Sequence, residues 1–463
     1  MLARRAAGTV RRRLSGPQRI TLIAFGLILG QLAFRAWATA GSSFMWDDYI
    51  FLSNVALGED DVAWLFHSHF SLFMPVSFLL VKIVGGAGFS WGLIATQMLG
   101  LQLVASISCW WMLRTLFGDR RLILVPLVFY LASPLTMPSS VWWSVAINQL
   151  PHHIAIFGAV AAHVTYLRTG RWRHLVLAWT FLVLGLGSYI KAPLIVLILA
   201  VLTLMWFTSG RLTTRLRSLV AWWPAWLLYT CTLVGYLLIW RSQQTASAPR
   251  QSCELPEALK TSILESVGTG IAGGPWNWKL WSGGIDPFIA ASRCVPQVYR
   301  GDPNLVVGGA PQSLLSPPLI GIVVAWILLV SLATYRWSRH RNALMAWWFV
   351  VPYVVLSAGL IYIGRAGTFG SQVSAREIRY FSDLAAIGAL ALATALMPVA
   401  GARTFVQVEN GHTFWYVCPD VLLRSSAASI SSDRCGPASA MSRRGTRPAM
   451  PPVSPNASSS RKS

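Results

Sequence analysis

The chain has 463 residues, 54% of them hydrophobic, with 23 Trp and only 12% charged residues, and its mean hydropathy is +0.53. That composition excludes a soluble globular protein. The formal net charge of +22 does not signal nucleic-acid binding, because Lys and Arg sit in short blocks between apolar runs rather than on a basic face interleaved with aromatics.

A helix spanning hydrocarbon needs roughly 20 apolar residues, and about ten such runs are present. The N-terminal segment 1–19, with Arg4, Arg5, Arg11, Arg12, Arg13 and Arg19, is expected in the cytoplasm by the positive-inside rule. Span 1 covers 20–40 and is followed by a long outer segment, 41–90. Ala38-Thr39-Ala40 resembles a signal-peptidase site, but Arg35 interrupts the stretch before it, so a retained anchor is expected. Span 2 (91–113) ends at Arg114, Arg120 and Arg121. Spans 3 (122–138) and 4 (151–167) enclose a short outer loop, 139–150, and Arg168, Arg171 and Arg173 follow.

The run 175–207 is roughly 50 Å long as one helix, too long for one bilayer. It splits at 188–193 into spans 5 and 6, which leaves Arg211, Arg215 and Arg217 on the cytoplasmic side. Span 7 (219–240), an outer loop (241–313), span 8 (314–334), span 9 (343–363), an outer loop (364–379) and span 10 (380–399) complete the set. Of the 16 Asp and Glu, 11 fall in the predicted outer segments. The expected fold is an all-α polytopic transmembrane helix bundle of about ten spans, with an interfacial first outer loop. It forms one membrane domain over 20–400, multi-pass in the cell membrane, with both termini cytoplasmic.

Residues 401–463 read as a cytoplasmic, largely disordered tail, because 424–463 is rich in Ser, Arg, Ala and Pro. Either it is a solvated basic segment or the native C-terminus has been replaced. Cys253 and Cys294 share the 241–313 loop and either pair or stay free. No Cys or His spacing resembles a zinc site. No cofactor is expected, and a divalent metal is left open.

Polar residues gather at the outer boundary. Asp47 and Asp48 stand together just past span 1, where adjacent carboxylates are costly to bury and unhelpful to packing. His67 and His69 follow them, and Lys82 snorkels or binds. Trp142 and Trp143 are belt residues or stacking platforms. Lys191, in the 188–193 break, needs an anion. Arg376, Arg379 and Tyr380 precede span 10, where the arginines pair with Glu377 and Asp383 or meet a substrate. Such a set suits transfer from a phosphate-linked sugar. Cations meet the leaving phosphate, and Asp47 or Asp48 takes the proton of an acceptor hydroxyl.

The order of these features resembles the GT-C class of polytopic glycosyltransferases, in particular its protein O-mannosyltransferase and aminoarabinose-transferase branch. The resemblance covers about 20–400. It rests on the acidic pair opening the first outer loop, on His69 through Pro75, and on Gly88-Phe89-Ser90 before span 2. Lys191 in Gly187-Ser188-Tyr189-Ile190-Lys191 and Arg379-Tyr380 before span 10 complete it. In that branch a His or Lys stands directly before Pro, whereas here His69 and Pro75 are separated. The resemblance implies Asp47 or Asp48 as the catalytic acid residue, with His69, Lys191 and Arg379 on the donor or its phosphate. His67, Arg376 and Tyr380 are further candidate substrate contacts. The implied partners are a polyprenyl-phosphate sugar donor, an acceptor protein or glycan, and the lipid bilayer. The competing readings are a transporter or flippase of lipid-linked saccharides, with charges expected at midplane on broken helices, and an inactive membrane scaffold.

Overall fold

The computed structural model describes residues 15–69, 72–243, 254–272, 317–339, 342–369, 371–402, 404–409 and 412–417. The expectations for residues 1–14, for Cys253 and Cys294, for most of the 241–313 loop and for the 424–463 tail fall outside them.

Among the described residues five helices are long and apolar enough to cross a membrane: Gly16–Ala40, Trp91–Phe117, Trp143–Thr169, Leu212–Ser242 and Ile378–Leu396. A sixth crossing is made if Arg121–Ala132 and Pro134–Val141, which meet at a 45° bend, count as one broken span. Among the described residues the fold is therefore an all-α helical membrane bundle in which five or six helices have the length and apolarity of a crossing. The remaining predicted runs are helical too: Trp172–Leu186 and Pro193–Phe207 are shorter apolar helices, and Leu319–Arg339 and Asn342–Phe369 are 21 and 28 residues long. The break at 187–192 falls where the over-long run 175–207 was expected to divide.

Trp143–Thr169 is the core of the bundle, with 94% of its apolar window buried. It packs against Trp91–Phe117 on one side and Trp172–Leu186 on the other. The second approach is close because residue 158 is glycine: a Cβ there would stand 2.5 Å from the Phe181 ring. At the far end Arg168 donates to the carbonyls of Thr115 (2.5 Å) and Ala400 (2.6 Å), tying three segments together.

Two predicted loops are helical instead. The 139–150 loop is occupied by Pro138–Val141 and the first turns of Trp143–Thr169, and 364–379 by the end of Asn342–Phe369 and by Ser371–Arg376. The core helix carries Pro151 in its interior. Inside a helix a proline leaves the carbonyl four residues earlier without its donor, and here that carbonyl, Ile147 O, lies 3.0 Å from the Ser77 hydroxyl, whose single proton it shares with Asn148 Oδ1 at 2.6 Å. The helix runs through its proline because a neighbouring segment supplies the missing hydrogen bond.

Ser77 lies in Pro75–Gly85, part of a first connection that is mostly short helices: Asp47–Ala56, Val62–Leu65 and Pro75–Gly85, with a strand pair Ser68–His69 and Leu72–Phe73 between them. Pro75–Gly85 docks on the 187–192 break through Val76 N–H to Gly187 O at 2.9 Å. In the segment expected to be tail, Thr404–Glu409 and His412–Val417 form an antiparallel hairpin.

Arg35 is buried within the first helix. It donates to Thr136 O at 2.5 Å and to the hydroxyls of Thr136 and Ser140, while the Thr39 hydroxyl donates to Ser140 O at 2.7 Å. The residue that interrupts the first apolar run thus pins that helix to the bent 134–141 segment. Ser77→Ala leaves the Ile147 carbonyl without a donor and is expected to lower stability by about 1–3 kcal/mol, measurable as a lowered unfolding temperature in detergent.

Candidate functional site

The chain leaves the first helix, turns, and starts a new helix at the acidic pair. The turn is tight: Trp46 has φ 41° and ψ −105°, a left-handed conformation that a tryptophan adopts only under constraint. Asp47 and Asp48 are the first two residues of Asp47–Ala56, and successive helical positions diverge by about 100°. One carboxylate therefore faces inward and the other outward.

Asp48 is the inward one, with no exposed surface. One oxygen accepts from Met45 N–H at 3.0 Å and the other from Ser144 N–H at 2.8 Å. Ser144 is in the first turn of Trp143–Thr169, so the carboxylate meets the positive end of the core helix and satisfies one of its open donors. Burial nevertheless dominates and raises its pKa from the ordinary 3.8 to about 6. The two backbone hydrogen bonds oppose that rise, and the Asp47 charge adds to it. Asp48 thus joins the turn to the core helix.

Asp47 keeps 24% of its side chain exposed, and its Oδ1 lies 4.0 Å from His69 Nε2. It also acts electrostatically on Arg379. The His69 ring rests on Phe51, with centroids 5.1 Å apart. Across from them the Arg379 guanidinium lies 4.2 Å over the Trp142 ring and 5.1 Å over that of Tyr380. Its Nε stands 3.5 Å from Glu377 Oε1. Next to it, Arg376 Nη2 pairs with Glu265 Oε2 at 3.1 Å. Asp47, His69, Arg379 and Tyr380 therefore share one end of the bundle, with Arg376 beside them. The face they make carries both a carboxylate and a guanidinium, the first able to accept a proton and the second to meet an anion.

Two candidates lie elsewhere. His67 stacks on Phe78 at 5.4 Å and 18°, with Nδ1 3.1 Å from Trp64 O, and stays exposed beside the cluster. Lys191 is fully enclosed: its ammonium pairs with Asp383 Oδ1 at 3.0 Å, donates to Tyr380 O, and sits among the rings of Tyr189 and Phe381. Asp383 Oδ2 accepts from the Tyr353 hydroxyl at 2.5 Å. The anion that Lys191 requires is thus supplied by the protein. Lys82 pairs with Asp60 at 3.3 Å.

Sequence reasoning gave Gln149 no role, left out Glu265 and Tyr353, and did not join Lys191 to Asp383. A signal for that last pair was available, since Asp383 is the one acid inside a predicted span and a lone buried carboxylate demands a cation. Glu265 carried no such signal, because it sits in a long loop far from Arg376 in sequence. Among the described residues no group of three or more His, Cys, Asp or Glu is arranged to hold a metal ion.

The fold and this face define a helical membrane protein with a carboxylate–histidine–arginine cluster at one end of its core helix. No protein-family model, curated protein or solved structure matches the chain.

Because the folded pKa of Asp48 is raised, the native state holds that proton more tightly than the unfolded chain. Its contribution to stability is fully present below about 3.8 and is lost as pH rises through about 6. Wild-type protein is expected to unfold at a higher temperature near pH 5 than near pH 7.5 from this group, and Asp48→Asn to flatten that difference in thermal scans.

Proposed function

We propose that this chain is an integral membrane glycosyltransferase that moves a sugar from a polyprenyl-phosphate donor to an acceptor hydroxyl on the extracytoplasmic face. The observation carrying this reading is the meeting of a partly exposed carboxylate, Asp47, with His69 and with Arg379 seated on Trp142. The polyprenyl-phosphate class comes from the resemblance of the ordered short motifs to the GT-C branch.

In this reading the acceptor hydroxyl attacks the anomeric carbon while Asp47 takes its proton. The new C–O bond forms as the bond from that carbon to the phosphate oxygen breaks, and the phosphate leaves with the electron pair. Arg379, with His69 beside it, meets the charge that grows on the phosphate. Of the two acids only Asp47 has the exposure for this work, since both oxygens of Asp48 are already engaged.

The proposed topology keeps ten crossings and cytoplasmic termini, with the shorter apolar helices completing the set. Reporter fusions at Arg120 and Ser209 are expected inside, and those at Pro256 and Gly370 outside. The opposite pattern at either pair overturns the layout.

The enclosed Lys191–Asp383 pair favours a second reading, a carrier or flippase for lipid-linked saccharides, because charges inside a bundle often mark pathways. The two separate on product. Purified protein given a polyprenyl-phosphate sugar and an acceptor is expected to form a sugar–acceptor bond, and Asp47→Asn to lower that rate by about 100-fold or more with the fold intact. Movement of the donor across vesicles with no such bond supports the carrier. Full transfer by Asp47→Asn removes the base assignment.

A further inference from the structure

Every residue from 374 to 383 is buried, although the stretch carries two arginines, a glutamate and an aspartate. Its backbone is held from outside at several points. The Ser266 hydroxyl donates to Ala375 O at 2.6 Å. Gln149 Nε2 donates to Arg379 O at 2.5 Å, and the Lys191 ammonium donates to Tyr380 O. Beside these backbone contacts, the Ser382 side-chain hydroxyl meets His153 Nε2 at 3.4 Å.

The central pair of contacts differs from the rest. Arg379 and Tyr380 offer consecutive carbonyls, and each is gripped by a side chain from a different part of the bundle. Gln149 stands on the core helix and Lys191 in the 187–192 break. Residues Ile378–Phe381 form a single 3-10 turn, in which two fixed carbonyls leave little freedom to the peptide planes. With those planes fixed, the direction in which the Arg379 side chain leaves the backbone is fixed too. Its guanidinium then reaches the Trp142 ring and the field of Asp47. Lys191 meanwhile is enclosed by Asp383, Tyr189 and Phe381.

We propose that Lys191 and Gln149 are positioning residues, a two-point clamp on the 378–381 turn that aims the Arg379 guanidinium at Trp142 and Asp47. The inference deepens the preceding one, resting on it for what Arg379 meets but not for how Arg379 is held. Lys191 acts through the turn and does not touch the donor.

The test uses the full chain in lipid nanodiscs, labelled with 5-fluorotryptophan and followed by fluorine NMR. The Trp142 resonance is assigned by its loss in Trp142→Phe, and Arg379→Met defines its position without the cation. Trp110, which carries Arg114 at 5.7 Å, serves as a control at another cation–aromatic contact. Lys191→Met alone strands Asp383, so the double variant Lys191→Met/Asp383→Leu removes both charges. It and Gln149→Leu are each expected to move the Trp142 resonance toward its Arg379→Met position, with Trp110 unmoved. A Trp142 resonance that stays at the wild-type position in both variants overturns the clamp. If the double variant does not fold, Gln149→Leu alone decides, since it changes no charge. Titrating wild-type protein with farnesyl phosphate reads the phosphate proposal separately. No response of Trp142 to it counts against that proposal and leaves the clamp to be judged by the variants.

Discussion

Lys191 and Asp383 meet at 3.0 Å with both side chains fully enclosed, and the contact joins parts of the chain 192 residues apart. An ion pair removed from water gains little net stability, because the lost hydration offsets much of the attraction. What it imposes is geometry: breaking it from one side strands a charge, which costs about 3–5 kcal/mol, so alternative packings of these segments are disfavoured. The Tyr353 hydroxyl and the Tyr380 carbonyl take up remaining hydrogen-bonding capacity of the pair. The break at 187–192, the start of Asp383–Leu396 and the turn carrying Arg379 are positioned together by this one enclosed contact.

The acidic pair divides its labour for a related reason. Two adjacent residues at a helix start cannot face the same way, so one carboxylate is available to the core and the other to the face. Asp48 joins its own turn to the first turn of the core helix, and the left-handed Trp46 is part of bringing it there. Asp47 is thereby held where His69 and Arg379 also point. The arrangement explains how two like charges persist side by side: one lies against a helix N-terminus and two backbone donors, the other faces cations.

Much of the fold was legible in the apolar runs, and the division of 175–207 followed from bilayer thickness alone. The 139–150 loop was not, because polar residues and Pro151 read as loop unless a partner for Ile147 O is known, and Ser77 lies 70 residues away. Among the described residues five or six of the predicted runs stand as crossings by length and apolarity, and the others are apolar helices as well. At the site, the types Asp, His and Arg near one boundary were readable. The choice between Asp47 and Asp48 was not, since it depends on the rotation of a short helix. Lys191 advertised its need for an anion, and only the packing of distant helices identifies Asp383 as that anion.

The proline at 151 has a consequence for biogenesis. The carbonyl it leaves open, Ile147 O, lies about 6 Å along the core helix from its start and accepts instead from the Ser77 hydroxyl. The core helix therefore carries a gap in its own hydrogen bonding that the Pro75–Gly85 segment meets. That segment precedes the proline in the chain and so is synthesised before it. The core helix is thus completed by an earlier part of the nascent chain.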